Sequence, residues 1–518
     1  MQGRKTFEDE RELRFSLSAH VPAHNFYRRL KARLDLSFLY ELTSKYYGSC
    51  GQRSIDPVVF FKLCLVGHLE NIISDRKLIE HCSLRLDLLY FLDYQLDEPL
   101  PWHSTVSRTR QLLPPSLFEE VFTRVLCLCV EAGMVAGHTQ AVDSALVKAN
   151  ASMDSLELKV PQQELDAHLE RVRAISHGDR KAKADKATPL QRTITASRDE
   201  LLEIKARNRK WGLEQDYRPG ARNKGSKYTS NKTHYSPVDP DARIAVKPGK
   251  ARKLCYLMQL AVDASRYVIT HTHADLAERK DNQCLPHLFT ALTSRLGRLG
   301  LGCTALLADA GYSSGENYHL LEENGITAYI PPHGTYKGGP EGFTYHREED
   351  YWLCPWGKKV TFRKVKVEPK NNIKKRLYFT TRRDCKQCPY KEGCIGKGHE
   401  RKVEITYYRD EYEWVIARLR TRWGRRMKGL RQATVEPVLG TLVNFLGMGK
   451  INTRGLEQAH KGMLLAAAAY NLQKLLRFKP ERSQTAVMAL PRPELKAFFK
   501  TVLERSEIGN GIDARSYC

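Results

Sequence analysis

The segment CTALLADAGYSSGENYHLLEENGITAYIPP, residues 303–332, narrows the fold more than any other stretch of the chain. Apolar residues fill 305–308 and stop at Asp309, and a small polar turn follows through Gly311, Tyr312, Ser313 and Ser314. Tyr318, Leu320 and Leu321 then recur at helical spacing, Asn324-Gly325 closes that helix, and Ile326 to Ile330 reads as another strand. Strand, turn, helix, strand is a unit of an α/β sheet, whose ligand crevice lies outside the carboxyl ends of the strands. Asp309 stands at such a tip, where an aspartate is either a chemical group or simply a turn or cap residue.

The neighbouring segments extend the pattern. His138 to Val142 reads as a strand ending at Asp143 in HTQAVDSALVKANAS, again followed by small and polar residues. Leu254 to Val262 and Tyr267 to His273 read as consecutive strands joined by a tight turn at Asp263-Ala-Ser, and a helix is expected over 284–299. The order strand, insertion, strand, strand, helix, strand, helix, strand is that of an RNase H-like α/β fold. In that fold the first and fourth strands end in acidic residues near each other.

Two long segments interrupt the pattern. In 153–253, Leu165, Leu169 and Val172 recur at helical spacing, and Ser197-Arg-Asp-Glu200 reads as a capping box, so two charged helices joined by a flexible linker are expected. Residues 221–253 hold nine Lys/Arg against two Asp, with Tyr228 and Tyr235 interleaved, which suits a phosphate backbone or a solvated basic loop. The second insertion, 333–411, contains Cys354, Cys385, Cys388 and Cys394. These have the ligand number of a structural Zn²⁺ site, with His399 as a substitute ligand, or are reduced thiols of a small β subdomain. The other cysteines, for example Cys64, Cys127 and Cys129, sit in apolar surroundings and read as reduced core thiols.

Ahead of the sheet, residues 20–135 read as helices. Asp56-Pro57 opens one of them, Ser104 caps a short helix over 105–113 that carries Arg108 and Arg110, and Ser116-Leu-Phe-Glu119 is a capping box for the next. A short basic helix packed on longer ones suits a helix-turn-helix that reads DNA, or an ordinary bundle with solvated arginines. Charge favours the nucleic-acid partner: 84 Lys/Arg against 59 Asp/Glu give a net charge of +25 and a pI near 9.5. The cations concentrate between Trp414 and Val435, where Arg418, Arg420, Arg422, Arg425, Arg426, Lys428 and Arg431 occur without an acid. Thr434-Val-Glu436-Pro437 follows. Thr434 is the expected cap of a new helix, Pro437 is tolerated in its first turn, and Leu439, Leu442, Val443 and Leu446 form its buried stripe. A last apolar helix is expected over 459–477 and an extra helix with a polar tail over 480–518. The longest uncharged apolar run, Met463 to Leu472, is about half of the ~20 residues a helical bilayer crossing needs. MQGRKTFEDERELRF lacks the apolar core of a signal peptide, so the expected location is the cytoplasm.

Asp143 and Asp309 at strand ends, with Glu436 beside the arginine run, form a set of carboxylates able to hold a pair of divalent metals for phosphodiester transfer. With 59 acids in the chain, residue type alone selects nothing. Position within the strand order does. VDSALVKANAS, LLADAGYSS with YIPP after it, and RQATVEPVLGTL resemble the three motifs of DDE transposases from bacterial insertion sequences, in the group numbered eleven-eighty-two. The resemblance spans roughly residues 15–475. It implies Asp143, Asp309 and Glu436 as catalytic acids, Mg²⁺ or Mn²⁺ as cofactor, and binding of terminal inverted repeats in double-stranded DNA. Cleavage, strand transfer to target DNA, and a homodimer or higher oligomer in the synapse are implied with them. Departures fall among the accessory cations. Relatives often carry Lys or Arg six residues after the glutamate, where this chain has Leu442, and Arg four before it, where it has Gln432 with Arg431 one earlier. The expected organisation is a helical DNA-binding domain over 1–135, a catalytic domain over 136–480 with insertions at 151–253 and 333–425, and a tail over 481–518. A DNA-binding regulator without cleavage and a host nuclease of the same fold are the competing readings.

Overall fold

The structure, a computed structural model, describes residues 15–48, 54–158, 231, 234–245, 251–334, 336, 338–368 and 373–479. The two charged helices expected within 153–253, the linker between them, much of the basic stretch 221–253 and the tail from 480 onward lie outside those residues. The described residues from 15 to 477 group as one compact unit.

Among the described residues, 17–131 hold eight α-helices: α1 (Leu17–His20), α2 (Phe26–Arg33), α3 (Phe38–Thr43), α4 (Pro57–Leu69), α5 (Asp75–Ser83), α6 (Leu86–Leu92), α7 (His103–Leu112) and α8 (Pro115–Glu131). α4 begins as its sequence dictates: the Asp56 carboxylate accepts from the amides of Val58 and Val59, and Pro57 occupies the first helical position. Two other expected starts are corrected. α7 begins at His103 with no side-chain cap, so Ser104 lies inside its first turn. α8 begins at Pro115, whose fixed φ suits the first helical position, which leaves Ser116 and Glu119 within the helix. Glu119 is then free to pair with Arg295 and with His460 at 2.9 Å.

The central sheet contains β1 (Thr139–Lys148), β4 (Arg243–Ala245), β5 (Lys253–Asp263), β6 (Val268–Leu276), β7 (Ala305–Leu307) and β8 (Thr327–Tyr329). A small hairpin of β2 (Glu157–Leu158) with β3 (His234–Tyr235) lies outside it. β5 lies between β1 and the strands β4 and β6, all antiparallel to it, while β7 and β8 continue from β1 in parallel. α9 (Asp281–Arg298) precedes β7 and α10 (Gly315–Glu323) precedes β8, so the element order expected from the sequence is the one found. β4 belongs to the sheet although its residues were expected within the insertion.

A second, five-stranded antiparallel sheet runs β13-β12-β11-β10-β9. Its strands are β9 (Thr344–His346), β10 (Tyr351–Leu353), β11 (Lys359–Glu368), β12 (Ile373–Phe379) and β13 (Lys402–Thr406), with short helices α11 (Arg382–Lys386) and α12 (Lys391–Ile395) between the last two. Three helices finish the described chain: α13 (Arg409–Arg420), α14 (Arg422–Phe445) and α15 (Leu456–Arg477). α15 packs on β6 and also on α4 and α8, which fixes the helical region to the sheet. No helix among the described residues is long and apolar enough to cross a membrane.

Candidate active site

β1 does not stop at Asp143. It runs five residues further, and Asp143 sits opposite Leu260 of β5 in a continuous antiparallel ladder. The sequence hid this because a charged residue inside an apolar run reads as its end. On the other side, β1 and β7 pair in parallel with Ala141 opposite Leu307. Asp143 comes two residues after Ala141 within β1, and Asp309 two residues after Leu307, past the end of β7, near enough for its charge to act on the Asp143 carboxyl. Alternation in β1 turns Val142 into the core shared with α9 and α10 and Asp143 the other way.

Asp309, expected as the tip of its strand, lies two residues past the end of β7. It caps a single 3₁₀ turn at Ala310–Tyr312, its Oδ1 accepting from the Gly311 amide at 2.9 Å. A Cβ at Gly311 would stand 3.0 Å from that oxygen and 3.0 Å from Oδ2 of Asp281, so a larger residue would press on both carboxylates. Tyr312 is buried behind the turn and donates to Oε1 of Gln259 at 2.6 Å. Its phenol is held well above the usual range, first by burial and then by the charges of Asp281, Asp143 and Asp309. Asp281 and Gln259 were not legible as site residues, because an acid in the first turn of a helix and an amide in a strand are both ordinary.

Glu436 does not start a helix. α14 runs unbroken from Arg422 to Phe445, with Thr434, Glu436 and Pro437 all inside it. Its cap is Thr421, whose side chain accepts from the Gly424 amide at 2.9 Å. A Cβ at Gly424 would stand 2.2 Å from the Arg418 carbonyl oxygen, so the sharp junction with α13 requires glycine. Thr434 turns its hydroxyl back to the Leu430 carbonyl at 2.7 Å. Pro437 costs the helix one hydrogen bond, and packing of Val435, Val438 and Leu442 against the sheet offsets that loss. Leu439 and Val443, expected in the buried stripe, are only half-buried.

α14 crosses β1, β5, β7 and β8, and Arg431 joins its acid to the strands. One guanidinium nitrogen donates to Oδ2 of Asp143 at 2.7 Å, and the other lies 3.7 Å from Oε1 of Glu436. The Asp143 and Arg431 side chains are 14% and 12% exposed, whereas Glu436 is 58% exposed and faces solvent. Nε of Arg431 is buried without a hydrogen-bond partner among the described residues. Burial pushes the Asp143 carboxyl above its ordinary range, Arg431 and the Ser144 amide oppose the shift, and Asp309 adds to it. No three His, Cys, Asp or Glu side chains among the described residues are gathered tightly enough to hold a metal ion. Asp143 and Asp309 are neighbours, and Glu436 reaches them through the arginine.

The expected DNA-contacting cations divide. Arg108, Arg422, Arg425, Arg426 and Lys428 are exposed. Arg418 is tied inward, to Glu322 at 2.9 Å and to the Ala328 carbonyl at 3.1 Å, and braces α13 against α10. Arg110 is overturned as a DNA contact. It is buried, forms a two-pronged pair with Asp75 at 2.7 and 2.9 Å, and its guanidinium also approaches the Cys64 sulfur. The basic look of α7 came from a residue whose partner lies 35 positions earlier. Arg110→Met is expected to cost about 3–5 kcal/mol in chemical denaturation, since it strands a mostly buried carboxylate, with DNA affinity of the folded protein unchanged. A loss of DNA affinity at unchanged stability would reverse this assignment.

The four cysteines of the second insertion converge. Cys354, Cys385, Cys388 and Cys394 line one cavity of about 40 Å³, and the Lys358 amide donates to the Cys354 sulfur at 3.3 Å. His399 is exposed and does not line the cavity.

Residues 15–112 match the family model of a transposase domain (DUF772), and residues 353–476 match that of a transposase DDE domain. The second match contains Glu436 and the four cysteines, and Asp143 and Asp309 lie between the two matched stretches. No curated protein matches the chain.

Proposed function

We propose that this chain, which joins a match to a transposase domain with a match to a transposase DDE domain, is a DDE transposase of an insertion sequence that binds the terminal inverted repeats of its own element, cleaves there and joins the freed 3′-hydroxyl to target DNA. The observation that supports this reading is the proximity of Asp309 to Asp143 beyond the parallel pairing of β1 with β7, together with Arg431 standing between Asp143 and Glu436. The proposed organisation is an RNase H-like catalytic domain over 136–480 with insertions at 151–253 and 333–425, behind a DNA-binding helical domain over 1–135 and ahead of a tail over 481–518. The protein acts in the cytoplasm, as a homodimer or higher oligomer that pairs two element ends.

The donor chemistry, carboxylate oxygens, suits a hard divalent cation, although the three acids stand too far apart here to hold one and Arg431 occupies the space between Asp143 and Glu436. Asp143, Asp309 and Glu436 would hold Mg²⁺ or Mn²⁺, which supplies charge neutralisation at the reacting phosphate and an activated water. The chain's own residues set the stage. The Gly311 amide fixes the Asp309 carboxylate, and Arg431 neutralises the buried Asp143 until the site is loaded. Arg422, Arg425, Arg426 and Lys428 offer phosphate contacts on the exposed surface of the same helix. The test is cleavage of a duplex carrying the element's end with Mg²⁺ present. Binding without any cutting would point to a regulator, and cutting without joining to a nuclease.

We also infer that the cysteine cavity takes a structural Zn²⁺. Four sulfurs line the cavity, the one carboxylate beside them, Asp384, is held by Thr381, and the Lys358 amide points at a sulfur, which suits that ion once the thiols draw closer than they stand here. Metal analysis of the purified protein is expected to give one zinc per chain, lost in Cys388→Ser and Cys394→Ser. A zinc-free wild-type protein that folds normally would end this assignment.

A further inference from the structure

A cleft of about 890 Å³ opens between β6 and the helices α8, α9 and α15, and none of the three acids lines it. Its floor carries a chain of buried polar groups that the chemistry above does not use. His271, His273 and Asp275 alternate along β6 and so share a face. Arg295 reaches them from α9, and all four are less than a tenth exposed.

One arrangement of protons satisfies this chain. Nη1 of Arg295 lies 2.6 Å from Nδ1 of His271, Nε2 of His271 lies 3.2 Å from Nδ1 of His273, and Nε2 of His273 lies 2.9 Å from Oδ2 of Asp275. A guanidinium can only donate, so His271 accepts at Nδ1 and carries its own proton on Nε2. That proton is donated to His273, which carries its proton on Nε2 and donates it to Asp275. Both imidazoles are therefore neutral. A proton added to either ring sets a donor against a donor somewhere along the chain.

The surroundings decide what such a proton would do. His287 of α9 is exposed at the cleft, with Nδ1 3.4 Å from Nε2 of His273. The other titratable and charged groups around the chain are Glu119 and Glu120 on α8, Cys284 and Arg298 on α9, and Glu457 and His460 on α15, with Asp241 and Arg279 in the loops beside β4 and β6. Arg279 donates to the second oxygen of Asp275 at 2.8 Å, Arg295 also pairs with Glu119, and Glu119 lies 2.9 Å from Nε2 of His460. Arg295 thus ties the β6 histidines to α8 and, through Glu119, to α15. Burial and then the Arg295 charge hold His271 well below the ordinary histidine range, and burial lowers His273 against the opposing influence of Asp275. A chain sealed inside the core would never meet a proton, but this one lies at the floor of an open cleft.

We propose that the chain Arg295–His271–His273–Asp275 is a pH-sensitive lock on the junction of α8, α9 and β6. A proton taken up from the cleft turns one imidazole into an imidazolium, Arg295 loses its acceptor on His271, and the junction loosens. The lock is independent of the reading of the chain as a transposase. In the closed state the histidines resist the proton, and in the open state they take it at their ordinary value of about 6.5. Acid therefore favours opening, and neutral pH favours closure.

Hydrogen exchange of the full-length protein tests this. One histidine that ionises only in the open state, at about 6.5, favours opening about eightfold more at pH 5.5 than at pH 7. Amide protection, corrected for the pH dependence of exchange itself, is expected to fall about eightfold or more in β6 and in the last two turns of α9. β12, in the second sheet, serves as the internal reference. His271→Gln combined with His273→Gln keeps a donor and an acceptor at each position without a titrating ring, and should hold the change within about twofold. An equal fall in wild type and double variant overturns the proposal, because the pH response then lies elsewhere. Unchanged protection in the wild type overturns it as well. Should the double variant not fold, NMR of the wild type with ¹³C-labelled histidine decides. His271 and His273 are expected to gain charge only as protection falls, and titration of either at about 6.5 with protection intact would overturn the lock.

Discussion

Asp309→Asn is expected to lower Mg²⁺-dependent cleavage of element-end DNA by about 10³-fold or more while leaving DNA affinity within twofold of wild type. The magnitude follows from removing a charged oxygen from a cation that stabilises the reacting phosphate by several kcal/mol, at 1.36 kcal/mol per factor of ten. Asparagine is the informative replacement because its carbonyl can still accept from the Gly311 amide that Asp309 now holds at 2.9 Å. The turn at Ala310–Tyr312 therefore keeps its cap, and a loss of activity reports charge rather than folding. Gel-shift and cleavage assays on the same labelled duplex measure both quantities. Cleavage at the wild-type rate would remove Asp309 from the chemistry, and with it the significance of the strand register.

Arg431→Gln should give the second large effect, in the opposite direction for metal. Its guanidinium holds Asp143 at 2.7 Å and lies 3.7 Å from Glu436, so it stands among the same oxygens that a divalent cation needs. Without it, Mn²⁺ binding at pH 8 is expected to tighten about tenfold, equivalent to ~1.4 kcal/mol, and added Mn²⁺ should raise the melting temperature more than in wild type. The metal-free variant should be less stable by about 3 kcal/mol, because it buries the Asp143 carboxyl unpaired. The sign of the pH dependence follows from Asp143, whose carboxyl is raised by burial even with Arg431 beside it. A carboxyl raised in the folded state favours folding at low pH, and that contribution is lost as pH rises from the ordinary aspartate range through the raised value. Removing Arg431 takes away an opposing influence, so the metal-free variant should lose stability with rising pH more steeply than wild type. Equal stabilisation of both proteins by Mn²⁺ would mean that arginine and metal do not share the acids.

Local chemistry carried much of this architecture in the sequence. The cap at Asp56-Pro57, the turn after Asp309 and the strand on either side of α10 could be placed because each depends on residues within one or two turns of chain. What stayed hidden depended on distant partners or on compensation. Arg110 looked like a DNA contact because nothing near it in sequence announces Asp75. Thr434 and Pro437 imitate a helix start, and only the sheet beneath α14 shows why the helix continues through them. Asp143 looked terminal because the ladder with β5 that carries the strand past it involves residues more than a hundred positions away. Asp281 gave no signal, since its closeness to Asp309 appears only where Gly311 brings the two chains together.

The continuity of α14 has one more consequence. If Glu436 began its own helix, its distance from the arginines would be set by a loop. As one helix from Arg422 to Phe445, the element behaves as a ruler. The fourteen residues between Arg422 and Glu436 span about 21 Å at 1.5 Å per residue. Each strand of B-DNA gains one phosphate about every 3.4 Å of duplex axis, so a duplex whose axis lies along this helix is held about six base steps from the acid.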